Sequence, residues 1–251
     1  MHVFIPACIF VTVLLAAFVF APRLSERRIV FDARPDRPCG FGSDMAWIAV
    51  KTSDPMAVLR ALGIASVKPA NWNSGIGTVY DARLGERHVF VSPSVGGWVF
   101  VVSQALPHPH GRSFADKCTP LLTQLSEQLG EVQYFASYPD LDLFAWAKLS
   151  AGRIVRAFGT GDEGIVWQRG RTTREERTLG LSLFELRGVR GRRGDAGGEL
   201  LMHPTHEHVM RLAGGWSLNP TLLESATGGP ALGYVAEVPS SWRSERMRKT
   251  A

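Results

Sequence analysis

Residues 131–168 read EVQYFASYPDLDLFAWAKLSAGRIVRAFGTGDEGIVWQ. Four apolar stretches of strand length alternate in this segment with glycine, proline and aspartate, which favour turns. The predicted strands cover residues 131–137, 141–148, 153–159 and 164–168. Strands this close together in sequence are typical of an antiparallel meander. The segment therefore predicts a sheet of hairpin-connected strands.

The sequence before the meander predicts further strands and a helix between them. Residues 45–51 (MAWIAVK) have the composition of a strand. A helix follows, because Asp54 can accept hydrogen bonds from the first free backbone N–H groups and Pro55 suits the first helical position. Gly63 then ends that helix. Three more strands are predicted at residues 75–80, 87–92 and 98–103.

Helices are predicted on either side of the meander along the chain. One begins at Thr119-Pro120 and ends at Gly130, and a short one has a capping box formed by Thr172 and Glu175. The remaining elements are a strand at 183–186, a helix at 206–213, and a helix from Pro220 that is capped by Asn219. Because strands outnumber helices, the sequence predicts an α+β fold, with a mostly antiparallel sheet and helices packed on one face.

The composition is that of a folded protein with basic ends. Of the 251 residues, 45% are hydrophobic and 20% are charged, which excludes disorder as the main state. The net charge of +5 arises from 28 Lys+Arg against 23 Asp+Glu, and the excess lies mostly at the ends and in one loop. Basic ends beside an apolar segment are more typical of contact with anionic lipid than of nucleic-acid binding.

An apolar segment near the N-terminus, residues 3–21, contains no charged residue. Its length predicts a transmembrane helix. A cleaved signal peptide is the alternative, but no lysine or arginine precedes the segment, and Pro22 directly follows the plausible cleavage site. We therefore expect an uncleaved signal-anchor over residues 1–22, in a bacterial inner membrane.

The arginines that follow the apolar segment bear on the side of the membrane that the domain occupies. Arg23, Arg27 and Arg28 favour the cytoplasm by the positive-inside rule. The periplasm is the alternative, since most single N-terminal anchors in bacteria export their domain. Cys39 and Cys118 are compatible with either orientation, because they could form a disulfide or remain thiols.

The domain organisation expected from these features has four parts. The signal-anchor is followed by a basic Pro/Gly linker over residues 23–42, which reads RLSERRIVFDARPDRPCGFG. A single α+β domain then covers residues 43–240, and a basic tail covers residues 241–251.

Five histidines in two short segments are the candidates for a metal site. They are His108, His110, His203, His206 and His208. Neutral imidazole is a common zinc ligand, but this spacing matches no established metal motif. The other interpretation is a set of solvated loop and helix-end residues. We predict no metal and no cofactor.

Residues that could support catalysis are few. Cys118 lies just before a predicted helix, which could lower its pKa, but no base lies nearby in sequence. Four acids, Asp140, Asp142, Asp162 and Glu163, could form a carboxylate site. The last two fall in a predicted hairpin turn, where acids are normally solvated. The sequence therefore predicts no catalytic residues.

Two segments are candidates for binding a partner protein. Asn71, Trp72 and Asn73 are expected to present an exposed tryptophan in a loop, which is typical of a binding hot spot. The second segment, RGVRGRR at residues 187–193, could bind an acidic partner or phosphates through Arg187, Arg190, Arg192 and Arg193. Its alternative interpretation is a solvated insertion.

Four short motifs together resemble a known family. They are GWVFVV (residues 97–102), LGEVQYF (129–135), AWA (145–147) and AGGWS (213–217). In this order they resemble a family of uncharacterised bacterial proteins associated with immunity proteins of contact-dependent or type VI secretion toxins. The resemblance covers residues 47–220, and its motifs are structural in character. It implies a protein that sequesters one toxin by tight binding, with no catalytic residues to carry over.

The function expected from these observations is that of a non-catalytic immunity-type protein. It would bind a cognate bacterial toxin, a secretion-system effector, and neutralise it by direct occlusion. Two alternatives remain open at this point. One is a metal-dependent hydrolase built on the histidine and carboxylate clusters, and the other is a membrane-tethered envelope module without a toxin partner.

Overall fold

One antiparallel sheet carries the fold, which a computed structural model describes over residues 30–109, 116–161, 164–181, 204–226 and 228–242. Its strands are β1 (Met45–Lys51), β2 (Val67–Ala70), β3 (His88–Val91), β4 (Trp98–Val102), β5 (Glu131–Tyr138), β6 (Leu143–Ser150), β7 (Arg153–Gly161), β8 (Gly164–Gly170) and β9 (Gly233–Glu237). In the described residues they lie in the order β2-β9-β3-β4-β1-β5-β6-β7-β8, and every pairing is antiparallel. The predicted α+β class with a mostly antiparallel sheet is confirmed.

The helices of the described residues are short. The α-helices are α1 (Pro55–Ala61), α2 (Trp72–Tyr80), α3 (Cys118–Leu129), α4 (Arg174–Thr178) and α5 (His206–Trp216). Short 3₁₀ helices cover Pro139–Leu141, Pro220–Ser225 and Ser240–Trp242.

The predicted meander corresponds to β5–β8 and is confirmed, with strand ends shifted by up to two residues. Its register aligns aromatic side chains across neighbouring strands. Trp146 pairs with Phe135 on one side and with Phe158 on the other. The rings of Trp146 and Phe158 stack, with their centroids 4.7 Å apart. Such cross-strand aromatic pairs stabilise a sheet and fix its register.

The helices cover both faces of the sheet, so the prediction that they pack on one face is wrong. All side chains of β1 from Met45 to Val50 are fully buried, because the strand alternates apolar residues toward both faces. We call these the Ile48 face and the Trp47 face. Helices α1 and α3 cover the Ile48 face. Helices α2 and α5 cover the Trp47 face, which contains most of the aromatic rings.

Residues 75–80 are helical, so the strand predicted there is wrong. Their sequence, GIGTVY, alternates as a strand does, but Asn71 caps a helix by accepting a hydrogen bond from Ser74 N at 2.9 Å. This places Ile76 and Val79, which are three residues apart, on the buried side of α2. Gly75 is required at its position, because a Cβ there would overlap the ring of Phe90. Capping and packing thus outweigh the β-branched composition.

The folded unit begins at Phe31, earlier than the expected Ser43. In the segment 31–42, Asp36 accepts hydrogen bonds from Trp72 N at 2.6 Å and from Asn73 N at 3.0 Å. Phe41 is buried on the Trp47 face. Residues 31–42 are therefore part of the domain rather than of the predicted linker, and residues 23–29 of that linker lie outside the described part.

The helices that were predicted begin within one residue of their expected starts, whereas α2 and two short strands were missed. Asp54 and Asn219 cap their helices as predicted. The capping box of α4 is formed by Thr173 and Glu176, one residue later than predicted. Strands β2 and β9 were not predicted. The predicted strand at 183–186 lies outside the described residues.

No helix among the described residues is long and apolar enough to cross a bilayer. The predicted anchor at residues 3–21 lies outside the described part, as does the tail from residue 243 onward. Trp242 is buried on the Ile48 face, so the domain extends at least to that residue.

Candidate partner-binding surface

The structure places Asn71, Trp72 and Asn73 at the start of α2 rather than in a loop. Trp72 is fully buried and packs edge-on against Phe90, with ring centroids 5.5 Å apart, so its predicted exposure is wrong. Asn71 is buried as the helix cap, and Asn73 is exposed and donates to Asp36 at 2.8 Å. The flanking asparagines thus start a helix, and a substitution of Trp72 would act on stability.

The predicted arginine-rich segment lies outside the described residues. This applies to Arg187, Arg190, Arg192 and Arg193 alike. Their predicted role in partner binding stays a prediction.

The described histidines of the two predicted clusters lie on opposite faces of the sheet. His108 Nδ1 is 2.9 Å from the hydroxyl of Tyr134, whose side chain belongs to the Ile48 face. His206 Nδ1 is 3.0 Å from Ser137 Oγ, and Ser137 pairs with Met45 of the Trp47 face. These two histidines therefore cannot bind one metal ion together. His110 and His203 lie outside the described residues.

His208 takes part in a helix cap, and the carboxylates of the 3₁₀ turn are exposed to solvent. The side chain of His208 lies 3.0 Å from Thr205 Oγ1, within the capping box of α5. Asp140 and Asp142 are exposed in and after the turn at Pro139–Leu141, where Asp142 has a φ of 46°. Asp162 and Glu163 lie outside the described residues.

Cys39 and Cys118 are free thiols on opposite faces of the sheet. Burial, with a smaller effect of Asp116, raises the pKa of Cys118 well above its usual value. Burial also raises the pKa of Cys39, to about 11. A raised pKa keeps a thiol in its unreactive protonated form. Neither cysteine has the properties of a nucleophile in this conformation.

A groove of about 460 Å³ lies at the β2 edge of the sheet. Lys68, His88 and Glu237 are among its lining residues, together with Phe31. The Phe31 ring contacts His88 edge-on, and Lys68 Nζ lies 5.6 Å from the Phe31 centroid. The opposite charges of Lys68 and Glu237 give this groove little net charge.

A buried ion pair fixes α4 against the opposite half of the sheet. Glu176 Oε1 accepts hydrogen bonds from Arg156 Nε and from Trp146 Nε1, both at 2.8 Å. Glu176 Oε2 accepts from the backbone of Thr173 at 2.7 Å, which completes the capping box. Glu176 is fully buried, and Arg156 is 1% exposed. Helix α4 therefore has a defined position beside β7 and β8.

Exposed arginines occur in the elements that this ion pair joins, on both faces of the sheet, since Arg169 pairs with Ala157 of the Ile48 face and Glu176 ties α4 to Trp146 of the Trp47 face. They are Arg153 at the start of β7, Arg169 and Arg171 at the end of β8, and Arg174 and Arg177 in α4. We call these five residues the arginine corner. The β7–β8 pairing brings residue 156 opposite residue 170, and the Arg156–Glu176 bond brings α4 to the same place. None of the five forms an ion pair with a carboxylate of the described residues.

Sequence reasoning missed the arginine corner although a signal was present. The stretch QRGRTTREER, residues 168–177, has four arginines around the predicted capping box. The fifth, Arg153, lies at the start of β7, where it pairs with Ser150 of β6. The denser run at residues 187–193 was chosen instead.

Comparison of this chain with protein-family models, with characterised proteins and with solved structures finds no match.

Proposed function

We propose that this chain is a non-catalytic, immunity-type protein that binds a cognate bacterial toxin and neutralises it by occlusion. The observation that carries the proposal is the arginine corner, five exposed arginines with no carboxylate partner in the described residues. Exposed arginines that have no carboxylate partner among the described residues are typical of a surface that binds an acidic protein.

Arginine suits this role for physical reasons. Its planar guanidinium can donate two parallel hydrogen bonds to one carboxylate, and it is enriched among the residues that dominate binding energy. A cluster of like charge also accelerates encounter with an oppositely charged partner. The partner we propose is therefore acidic at its contact surface. Arg187, Arg190, Arg192, Arg193 and Asn73 remain candidate contacts in the same proposal.

The proposal includes a membrane tether. The uncharged segment at residues 3–21 supports an anchor in the bacterial inner membrane, and the arginines after it favour a cytoplasmic domain. A tethered inhibitor meets its toxin near the membrane. The periplasmic orientation is the alternative, in which the toxin is met as it enters.

The test is affinity capture with the full chain in mild detergent from a lysate of the source bacterium. The bait is compared with the triple variant Arg169→Glu/Arg171→Glu/Arg174→Glu. Arg177 is left intact because its guanidinium donates to Thr172 O at 2.6 Å and supports the local fold. The captured partner is then expressed in a host cell, with and without each form of the chain, and growth is recorded.

We expect the wild-type chain to capture one stoichiometric partner that inhibits growth, and to relieve that inhibition. The triple variant should lose both properties. A matched control, Lys68→Glu/Arg83→Glu/Arg87→Glu, makes the same change in charge at the β2–β3 side of the sheet and should retain both. A partner that causes no growth defect would overturn the immunity function and favour the envelope-module alternative. Capture without change by the triple variant would exclude the arginine corner.

A further inference from the structure

We infer that the groove at the β2 edge binds a short zwitterionic peptide, of two or three residues, through Lys68 and Glu237. The inference goes beyond the proposed function, because it assigns a second binding site that toxin neutralisation does not require. Small-molecule sites are typically concave, measure several hundred Å³ and combine apolar surface with a few polar groups. The groove, at about 460 Å³, lies in this size range.

The groove lies where the start of β2, the end of β9 and the start of β3 meet the loop after α1. That loop, residues 63–66, turns away from α1 at Gly63, which has a φ of 69°. Ile64 and Val235 are buried and contribute apolar lining. Part of the lining is therefore fixed by the hydrogen bonds of the sheet.

Strand pairing places a positive and a negative side chain on the same face at this end of the sheet. Lys68 pairs with Val235, and Glu237 lies two residues further along β9, so the three side chains lie on one face. Diagonal neighbours of this kind lie about 7–8 Å apart across two strands. Lys68 and Glu237 are exposed, and neither forms an ion pair within the part of the chain that the structure describes. Both charges can therefore contact a ligand.

Two aromatic side chains accompany this pair of charges. Lys68 Nζ lies 5.6 Å from the centroid of the Phe31 ring, a cation–π contact that favours a position of the ammonium group at the groove. His88 pairs with Glu237 and contacts the Phe31 ring edge-on, with centroids 6.4 Å apart. His88 Nδ1 lies 3.0 Å from the carbonyl oxygen of Leu84, and because a carbonyl only accepts, Nδ1 carries the hydrogen. In the neutral ring Nε2 is then an acceptor, at the strand position opposite Glu237.

These groups fit a ligand that has opposite charges at its two ends. A carboxylate would bind Lys68 Nζ, and an ammonium group would bind Glu237 together with His88 Nε2. An extended peptide of two or three residues spans at most about 7–10 Å, which matches the diagonal separation of Lys68 and Glu237. Its apolar side chains would contact Ile64 and Val235. A ligand with one charge, such as a fatty acid or a polyamine, would use only one of the two charged residues.

The test uses the full chain in mild detergent and the dipeptide leucyl-leucine, with binding measured by ligand-observed NMR. We expect a Kd of about 1 mM or tighter. Lys68→Gln and Glu237→Gln should each weaken binding by about fivefold, because exposed charge pairs contribute modestly. The matched control, Glu207→Gln/Arg211→Gln, removes one charge of each sign on the surface of α5 and should bind as the wild type does.

Two blocked ligands identify which end of the peptide each residue binds. N-acetyl-leucyl-leucine lacks the ammonium group and should bind about fivefold more weakly. Glu237→Gln should not weaken its binding further, whereas Lys68→Gln should. Leucyl-leucinamide lacks the carboxylate and should show the reverse pattern. If the blocked peptides bind the wild type as tightly as leucyl-leucine does, or if each substitution affects both blocked peptides equally, recognition of the two ends is wrong.

The same experiment separates this inference from the proposed function. No binding of leucyl-leucine at concentrations up to about 10 mM would overturn the peptide site. Capture of the toxin partner and relief of growth inhibition do not use the groove, so Lys68→Gln and Glu237→Gln should retain both. The peptide site can therefore fail while the proposed function stands, and the reverse also holds.

Discussion

The carboxylate of Glu176 lies 2.8 Å from Arg156 Nε, and both side chains are shielded from solvent. The same carboxylate oxygen accepts the indole N–H of Trp146, also at 2.8 Å. One side chain of α4 therefore satisfies two donors of the sheet. A buried charge needs such partners, because removal from water is unfavourable for an isolated ion. The relationship fixes the helix that carries Arg174 and Arg177.

Replacement of Glu176 by glutamine should strongly destabilise the domain. Arg156 would keep its charge in a buried site without a counter-ion, which typically lowers the free energy of unfolding by about 3 to 5 kcal/mol. Chemical denaturation followed by tryptophan fluorescence would measure the loss. Glu207→Gln is the control, since Glu207 pairs with Arg211 at 3.7 Å on the surface of α5. That change should alter stability by about 0.5 kcal/mol or less. Equal effects of the two variants would contradict the role of the buried pair.

Two glycines of α2 should respond oppositely to alanine. Gly75→Ala places a methyl group against the ring of Phe90, and overpacking of this kind destabilises by about 1–3 kcal/mol. Gly77→Ala meets no neighbouring atom and lies on the exposed side of the same helix. Alanine favours the helix by up to about 1 kcal/mol there, so this variant should be neutral or more stable. Thermal unfolding of both variants tests the helical assignment, because a strand would not distinguish them in this way.

The thiol of Cys39 should react slowly near neutral pH. Burial, with smaller contributions from Asp36 and Glu224, raises its pKa from 9.0 to about 11, and the thiolate is the reactive form. A Cys8→Ser background leaves Cys39 as the thiol that reacts, because Cys118 is buried. The alkylation rate of Cys39 should then rise with pH up to about 11. A rate that levels off near pH 9 would show an unperturbed thiol.

The raised pKa of Cys39 also affects the stability of the domain at alkaline pH. The folded state favours the protonated form of Cys39. The contribution of Cys39 to the free energy of unfolding is therefore complete below the pKa of the unfolded thiol and is lost as pH rises toward about 11. Cys39→Ser should therefore reduce the fall in stability between pH 9 and 11. Urea denaturation across that range measures the difference from the wild type. An identical fall in both proteins would mean that other groups, such as the buried tyrosines, dominate.

Association with the partner should depend on salt through the arginine corner. Exposed charges are screened over about 8 Å at physiological ionic strength and over longer distances in dilute buffer. The association rate of the wild-type chain should therefore fall as salt is added, and Arg169→Glu/Arg171→Glu should remove most of that dependence. Surface plasmon resonance with the captured partner measures both. A salt dependence that survives the substitutions would point to another basic surface.

The strands of the meander could be predicted because their signal is local. Residues 131–168 combine apolar stretches with turn residues, and the pairing of neighbours follows from the short connections. The presence of helices on both faces of the sheet could not be predicted. A strand that is apolar on both sides, such as MAWIAVK, does not show which element covers each side. Residues 75–80 were misassigned because their β-branched composition hid a helix that is set by the Asn71 cap and by packing on Phe90.

The candidate surface was harder to predict than the fold. Trp72 was expected to be exposed because asparagines flank it, but those asparagines start a helix that turns the indole inward. The position of α4 depends on a non-local relationship, because Glu176 reaches β7 through its bond to Arg156. Local sequence shows the number of arginines in residues 168–177 and not where α4 packs.

On the proposed anchor, the inclusion of residues 31–42 in the domain would limit how far the domain can move from the membrane. A flexible linker over residues 23–42 would span at most about 70 Å when fully extended, whereas residues 23–30 span at most about 28 Å. A pull on the chain before Phe31 would act on Asp36 and Phe41, and through their contacts on α2 and the sheet, rather than extend a flexible linker. On the proposed anchor, the domain would work close to the lipid surface, and a toxin would have to come within that short radius to be intercepted.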